Sequence, residues 1–111
     1  MIWRITKRQT FVELRRSGKK VRFGSVTMIF VSIDTKHPQV GFTLTKKFGG
    51  AVMRNRQRRR LKSAFNQTFD SNKYPLGAYL ISASPKISEQ KYTDLSNQLE
   101  SCFNKLIGSA T

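Results

Sequence analysis

Residues 46–62 contain the densest group of side chains in this sequence that could bind an anion. The segment holds eight bases and no acid, and five of the eight are arginines. The planar guanidinium group of arginine can donate paired hydrogen bonds to a phosphate. The bases are Lys46, Lys47, Arg54, Arg56, Arg58, Arg59, Arg60 and Lys62. These residue types at this spacing favour recognition of a polyanion.

A second group of bases lies in residues 1–22, where eight bases accompany a single acid, Glu13. They are Arg4, Lys7, Arg8, Arg15, Arg16, Lys19, Lys20 and Arg22. Elsewhere in the 111-residue chain five bases balance five acids, so the two segments carry the whole formal net charge of +15. Solubility alone would need a net charge of only about 2–8 with mixed signs. We therefore predict that the working state includes a polyanion.

Residues of the types that catalyse reactions or bind metals are few and dispersed. His37 precedes a proline in a predicted turn, and Cys102 stands beside Phe103 on a predicted helix, where a part-buried thiol is the simpler interpretation. The six acids are scattered, without a general acid–base pair or a Mg²⁺ cage. Gly49-Gly50 lacks the Lys-Ser/Thr that follows in a phosphate-binding loop. The sequence predicts binding, with no catalytic residue and no metal ligand in the protein.

The strongest helix prediction, residues 52–69, overlaps the basic segment. At about 100° per residue, one stripe of this helix is apolar and the opposite side is basic. The stripe contains Leu61, Ala64, Phe65 and Phe69, and Arg56, Arg59 and Arg60 lie opposite. Arg54 and Asn55 open the helix beside the Lys46-Lys47 turn, and Lys62 stands at the edge of the basic face. We expect the three opposite arginines to project away from the core.

The remaining elements place this helix in an α+β domain. A first helix is predicted over residues 6–17, between a Thr6 cap and Gly18, and a last helix is predicted from a Ser88 cap, with Gly108 past its end. Strands are predicted over residues 20–23, 25–33, 40–45 and 78–83. The second and third of these strands are expected to form a hairpin. The chain is predicted to be one domain, residues 1–111, with a small sheet packed against helices.

The composition also bears on the compartment. No apolar run approaches the roughly 18 residues that a membrane span needs. The first residues, MIWRITKRQTF, have no apolar segment typical of a secretory signal. A single cysteine excludes a disulfide framework and fits a reducing compartment. A cytoplasmic protein is expected.

Residues 46–62, KKFGGAVMRNRQRRRLK, closely resemble the signature of the bacterial ribonuclease P protein subunit, an Arg-Asn-Arg helix that follows a Lys-Lys turn. Residues 11–18 look like the first helix of that family, and residues 40–45 resemble the strand before its Lys-Lys. The resemblance implies the order α-β-β-β-α-β-α with a left-handed βαβ crossover. Composition and spacing would not suggest that hand, because such crossovers are right-handed in about 98% of cases.

The resemblance further implies the protein subunit of a ribonucleoprotein that removes the 5′ leader from precursor tRNA. The catalytic RNA, with bound Mg²⁺, would carry out hydrolysis, and the protein would bind that RNA and the leader. No metal held by the protein alone, no membrane and no obligate protein partner are expected. The implied RNA-binding residues are Lys46, Lys47, Arg54, Asn55, Arg56, Arg58, Arg59, Arg60 and Lys62. A leader-binding cleft would contain Phe11, Arg8 and Arg15.

Phe11 is open to two interpretations. A phenylalanine on an amphipathic helix favours the core, whereas the matching aromatic of the family lines a cleft where it can stack on an unpaired base. Other cleft aromatics of the family fall at Arg15 and Ile29, which have no ring. We therefore expect a smaller stacking contribution and a larger charged one. At Arg60 some relatives carry an apolar residue, but the helical wheel places this side chain outside.

Three other classes of protein fit part of the same sequence. A structural RNA-binding protein, such as a small ribosomal protein, fits the charge and size equally well and is disfavoured only by the motif. A DNA-binding or membrane-surface protein could use a basic helix, although the apolar stripe of this helix is needed to pack on a sheet. A self-sufficient nuclease fits least, because the acid–base pair is missing.

Overall fold

A computed structural model describes residues 3–108 of the chain, apart from the side chain of Lys46. The helices are α1 (Arg8–Ser17), α2 (Ala51–Thr68) and α3 (Tyr92–Gly108). The strands are β1 (Trp3–Arg4), β2 (Lys19–Phe23), β3 (Val26–Val31), β4 (Gln39–Thr43) and β5 (Ala78–Ala83). Short 3₁₀ helices cover Lys46–Phe48 and Pro85–Glu89. The predicted order α-β-β-β-α-β-α is confirmed, and β1 precedes it as a further short strand.

The five strands form one mixed sheet in the order β1-β4-β5-β3-β2. β5 pairs antiparallel with β3 and parallel with β4. The predicted hairpin between the strands now called β3 and β4 is therefore wrong, because β5 lies between them. The residues of β5 explain this position: Ala78 to Ile81 are all buried, and a strand apolar on both faces requires the centre of a sheet. The hand of the β4–α2–β5 crossover stays a prediction.

Each face of the sheet supports its own apolar core. Side chains alternate between faces along each strand, so Val26, Met28, Tyr79 and Ile81 face α2 and α3. Ala78 and Leu80 face α1 on the other side of the sheet. They form a second core with Ile5 and with Leu14 of α1. The predicted stripe of α2 is confirmed, since Leu61, Ala64 and Phe65 are fully buried and Phe69 packs against them. The basic side of α2 is thereby directed away from the sheet.

The start and end of α3 differ from the prediction. Ser88 does not cap this helix, because it belongs to the 3₁₀ helix Pro85–Glu89. The first turn of α3 is instead stabilised by Asp94, whose Oδ2 accepts a hydrogen bond from the Lys91 amide at 3.0 Å. Gly108 forms the last residue of α3 rather than lying past its end.

The starts of α1 and α2 are set by the backbone rather than by side-chain caps. Lys7, not the predicted Thr6, occupies the cap position of α1, and it makes no side-chain capping bond. Gly50 occupies the cap position of α2. The preceding Gly49 has φ of 106°, a conformation that favours glycine, and this allows the sharp turn from the 3₁₀ helix into α2.

Candidate nucleic-acid interface

The outer face of α2 presents a row of polar and basic side chains to solvent. Asn55, Arg56, Arg59 and Lys62 are exposed, and Lys47 is exposed on the 3₁₀ helix before α2. Their orientation follows from the buried stripe on the opposite side of the helix. The prediction that Arg56 and Arg59 project away from the core is confirmed. Lys46 is also a predicted RNA-binding residue, but its side chain lies outside the described part of the structure.

The first turn of α2 adds to the positive potential of this face. It contains no acidic residue, and Gly50 provides no side-chain acceptor for the free amides at the helix start. Arg54 is half-buried here, and its Nε is buried without a hydrogen-bond partner among the described residues. An unpaired buried donor of this kind costs free energy in the folded state.

Arg60 does not project into solvent, so the wheel prediction for this residue is wrong. Its guanidinium group donates hydrogen bonds to the backbone oxygens of Ile87, at 2.9 Å, and of Gln90. It also donates to Oε1 of the buried Gln57, at 2.6 Å. The 3₁₀ helix Pro85–Glu89 lies beside this part of α2, a contact that a helical wheel cannot include. Arg60 thus joins α2 to the segment before α3.

Arg58 is turned toward the edge of the sheet. Its Nη1 donates a hydrogen bond to Asn55 Oδ1 at 2.8 Å, which orients the guanidinium group. Arg58 and Lys62 are one turn apart on α2, and both line a large cavity at the edge of the sheet. The predicted RNA-binding residues of α2 therefore have four kinds of surroundings. Asn55, Arg56 and Arg59 face outward, and Arg54 is half-buried in the first turn. Arg58 and the exposed Lys62 line the cavity, and Arg60 is structural.

A cavity of about 870 Å³ opens at the edge of the sheet, beside the part of β4 that β1 leaves unpaired. The N-terminal segment, α1, β4 and α2 all contribute to its walls. The lining residues are Trp3, Arg4, Ile5, Thr6, Phe11, Val40, Gly41, Phe42, Arg58 and Lys62. They include three aromatic rings and three cations, and no carboxylate is among them. Rings that bases can stack on, interleaved with cations, are typical of sites for single-stranded nucleic acid.

Phe11 lies between the two positions that the sequence left open, partly in a core and partly in the wall of the cavity. It is half-buried and packs against the core formed by Ile5, Leu14, Ala78 and Leu80, and it also lines the cavity. Gly41 makes this position possible, because a Cβ there would lie 3.3 Å from Cε1 of Phe11 and 3.2 Å from Cδ1 of Ile5. The missing side chain at Gly41 lets the ring approach the sheet.

The two arginines predicted to join Phe11 in a cleft lie outside its walls. Arg8 and Arg15 are exposed on α1 and do not line the cavity. They stand three residues before and four after Phe11, so they flank it along one side of the helix as a basic rim. Ile29 packs against the core beneath α1.

Sequence reasoning missed the contribution of the N-terminal strand and of β4. Trp3 and Arg4 line the cavity from β1, and Phe42 lines it from β4. A two-residue strand is too short to produce a periodic pattern, so β1 could not be recognised. The available signal was an aromatic residue placed directly beside a base.

The thiol of Cys102 and the hydroxyl of Tyr79 are buried, and both are protonated near neutral pH. Cys102 is fully buried, and burial raises the pKa of its thiol to about 11. Burial also raises the pKa of the Tyr79 hydroxyl well above its usual value, and this hydroxyl donates to the Pro75 backbone oxygen. Within residues 3–108 no three His, Cys, Asp or Glu side chains come close enough to hold a metal ion. No helix in the same range is long and apolar enough to cross a membrane.

Comparison with protein families and sequences gives a consistent result. The family profile of Ribonuclease P matches residues 2–107. The ribonuclease P protein component of Syntrophus aciditrophicus is 32% identical over 96 residues, covering 86% of this chain and 80% of the relative. That of Brucella melitensis biotype 1 is 34% identical over 108 residues, covering 88% and 75%.

Solved structures share the fold. The RNase P protein of Staphylococcus aureus, at 20% identity, superposes with a TM-score of 0.78 and covers 94% of each chain. The RNase P protein of Thermotoga maritima, also at 20% identity, gives a TM-score of 0.76 and covers 92% of this chain and 96% of that one. These likenesses establish the arrangement of helices and strands.

Proposed function

The chain belongs to the bacterial ribonuclease P protein family, and from this membership we propose that it binds a catalytic RNA and the 5′ leader of precursor tRNA. The observation that carries the proposal is the cavity beside Phe11. Its aromatic rings can stack on unpaired bases, and its cations can neutralise the phosphates between them. The 5′ leader of precursor tRNA offers such an unpaired strand, and mature tRNA has no leader.

The catalytic RNA is proposed to contact the outward face of α2. Arg56 and Arg59 are exposed there, and the start of α2 adds free amides and the positive end of the helix dipole. The half-buried Arg54 in the first turn of α2 would add its positive charge to this face. The cavity and this face share α2, so one helix would contact both RNAs, with Arg58 and Lys62 on the side of the leader.

Hydrolysis is proposed to take place on the RNA subunit, with Mg²⁺ held mainly by RNA. The carboxylates of the described residues are dispersed and do not fit a protein-held magnesium site. The role of this chain would then be to bind and orient substrate, in a ribonucleoprotein working in the cytoplasm. Binding energy realised at the leader raises the affinity for precursor tRNA relative to product.

Reconstitution with a bacterial ribonuclease P RNA and a precursor tRNA tests the proposal. At low Mg²⁺ concentration we expect the protein to increase specific cleavage at the mature 5′ end. Protein with Mg²⁺ but without the RNA subunit should leave the precursor intact. Failure to stimulate the RNA, or specific cleavage by the protein alone, would reject the proposed division of roles.

Co-purification separates the remaining classes of RNA-binding protein. A particle containing one structured RNA that cleaves precursor tRNA is expected. Recovery with ribosomal subunits instead would favour the structural RNA-binding alternative.

A further inference from the structure

Trp3 is the only tryptophan of the chain, and it lies outside both apolar cores. It is 42% exposed and lines the cavity from β1. A large aromatic ring contributes most to folding when it is buried, so an exposed ring facing a basic cavity is better suited to contact a ligand.

The backbone and one neighbouring ring hold Trp3 in place. Its amide donates a hydrogen bond to the Pro38 oxygen at 2.8 Å, and the residue pairs with Gln39 in the parallel ladder of β1 and β4. The indole meets the ring of His37 edge to face, with 4.8 Å between centroids and 67° between planes. A ring that is already ordered loses less conformational freedom when a ligand binds it.

The other cavity residues define the chemistry of that ligand. Phe11 and Phe42 add two rings to the same cavity, and Arg4 follows Trp3 directly on β1. Arg58 and Lys62 supply cations from α2, and no carboxylate opposes them among the described lining residues. Rings alternating with cations match the bases and phosphates of an unpaired RNA strand.

We propose that Trp3 is a second base-stacking platform of this cavity, which holds an unpaired nucleotide of single-stranded RNA at a different wall from Phe11. The proposal rests on the proposed function and deepens it, because it assigns part of the leader contact to a residue outside the Arg-rich helix and α1. The opposing explanation is that Trp3 only covers Pro38 and His37 at the end of the sheet.

The fluorescence of Trp3 provides a direct test, because the full chain has no other tryptophan. The protein is titrated with a single-stranded RNA of leader length and with the same RNA carrying abasic sites, and binding is followed separately by the anisotropy of a label on the RNA. We expect quenching by the intact strand and little change at equal saturation with the abasic strand. Equal responses to the two strands, or no quenching at saturation, would overturn the proposal.

Two variants extend the test to the reconstituted particle. Trp3→Phe keeps a ring, whereas Trp3→Leu keeps apolar bulk without one. We expect Trp3→Leu to reduce the ratio of precursor to mature tRNA affinity at least about fivefold and Trp3→Phe to retain most of it. Equal ratios for the two variants, at equal melting temperature, would return Trp3 to a structural role.

The two proposals fail in distinguishable ways. If the wild-type protein does not stimulate the RNA subunit, the proposed function is wrong. If it does stimulate cleavage while the variants and the fluorescence show no stacking, only the assignment of Trp3 is wrong. The fluorescence measurement uses the wild-type chain, so it decides the question even where a variant folds poorly.

Discussion

Arg59 and Arg60 are neighbours in the sequence with different surroundings. Arg59 is exposed on the outer face of α2, whereas Arg60 is half-buried and donates to the backbone oxygens of Ile87 and Gln90. Residue type and local charge density are the same for both. The difference arises from the segment Pro85–Glu89, which is distant in sequence and adjacent in space.

Alanine substitution should separate the two arginines. Arg60→Ala is expected to lower the free energy of unfolding by about 2 kcal/mol, because hydrogen bonds to charged groups contribute roughly 1.5–3 kcal/mol and carbonyls would lose their donor. Arg59→Ala should change it by less than about 0.5 kcal/mol and weaken binding to the catalytic RNA. Urea unfolding followed by circular dichroism measures the first effect, and equal unfolding curves for the two variants would contradict it.

Phe11 should contribute to both binding and stability. Phe11→Ala is expected to weaken the binding of precursor tRNA relative to that of mature tRNA. The loss of one stacked base should cost about 1–3 kcal/mol of binding free energy. Because the ring is only half-buried, the loss of folding free energy should stay below the roughly 3–5 kcal/mol typical of a core phenylalanine.

Phe23 provides a matched control for Phe11. It is 42% exposed on β2, where Lys105 lies over its ring, and it does not line the cavity. Phe23→Ala should leave the ratio of precursor to mature affinity unchanged in the reconstituted particle. An unchanged ratio for Phe11→Ala with a lowered melting temperature would restrict Phe11 to the core.

Cys102 should make stability fall at alkaline pH. Its pKa is raised by burial to about 11 in the folded protein, above the roughly 8.5 of an exposed thiol. The folded state therefore binds the proton more tightly, and this stability is complete below about pH 8.5 and is lost as pH rises through 11. The loss should approach roughly 3 kcal/mol between these limits.

Comparing the wild type with Cys102→Ala isolates this effect. The other ionisable groups are the same in both proteins, so the difference in the slope of unfolding free energy against pH belongs to the thiol. Urea unfolding between pH 8 and 11 measures both slopes. Parallel curves would show that the thiol does not remain protonated in the folded state.

At the scale of elements, α2 has an apolar face packed against the sheet and a basic face directed to solvent. The apolar residues Leu61, Ala64 and Phe65 are fully buried, so the opposite face can be changed without creating a cavity. The element order also determines what lies near this helix. Since β5 returns to the sheet centre between β3 and β4, α2 stays beside β4 and its cavity.

The outer face of α2 should set the salt dependence of RNA binding. Replacing Arg54, Arg56 and Arg59 together by alanine is expected to weaken binding to the catalytic RNA. The slope of log affinity against log salt should decrease by roughly 0.7–0.9 for each phosphate that the variant no longer neutralises. Filter binding at several KCl concentrations measures the slope.

Lys62→Ala serves as the comparison on the same helix. Lys62 lines the cavity at the edge of the basic face, so binding of the catalytic RNA should change less than in the triple variant. If the triple variant folds and keeps the wild-type affinity and salt slope, this face does not contact the catalytic RNA.

At the scale of the whole molecule, the net charge of +15 lies on a domain with a radius of gyration of 13.2 Å. The like charges repel one another in the folded state and are closer there than in the unfolded chain. A compact state of this kind should gain stability from any polyanion that binds it.

The melting temperature should therefore rise with ionic strength. We expect an increase between low and moderate KCl, because screening reduces the repulsion, and a further increase with bound RNA by linkage. Differential scanning calorimetry at several KCl concentrations measures the first effect. A melting temperature independent of KCl would show that repulsion does not limit stability.

Local patterns in the sequence were sufficient for the class of protein, the helices and most of the strands. The apolar stripe of α2 and the alternation in β3 are such patterns, and each requires one buried face. The bases of residues 46–62 and the Arg-Asn-Arg motif are also local, so the polyanion partner and the family were readable without coordinates. The strand Ala78–Ala83 was predicted with its observed limits.

Only the folded chain shows which residues of different elements contact one another. The pairing of β5 with both β3 and β4 depends on packing across the whole sheet, and strand pairing leaves no sign in a single strand. The same holds for Arg60, which binds backbone atoms about thirty residues away. Trp3, Phe11, Phe42 and Arg58 come from four separate segments, and they line one cavity because the sheet brings its edge beside α1 and α2. Periodicity reports which face of an element is buried, and contacts between elements follow from the packing of those faces against one another.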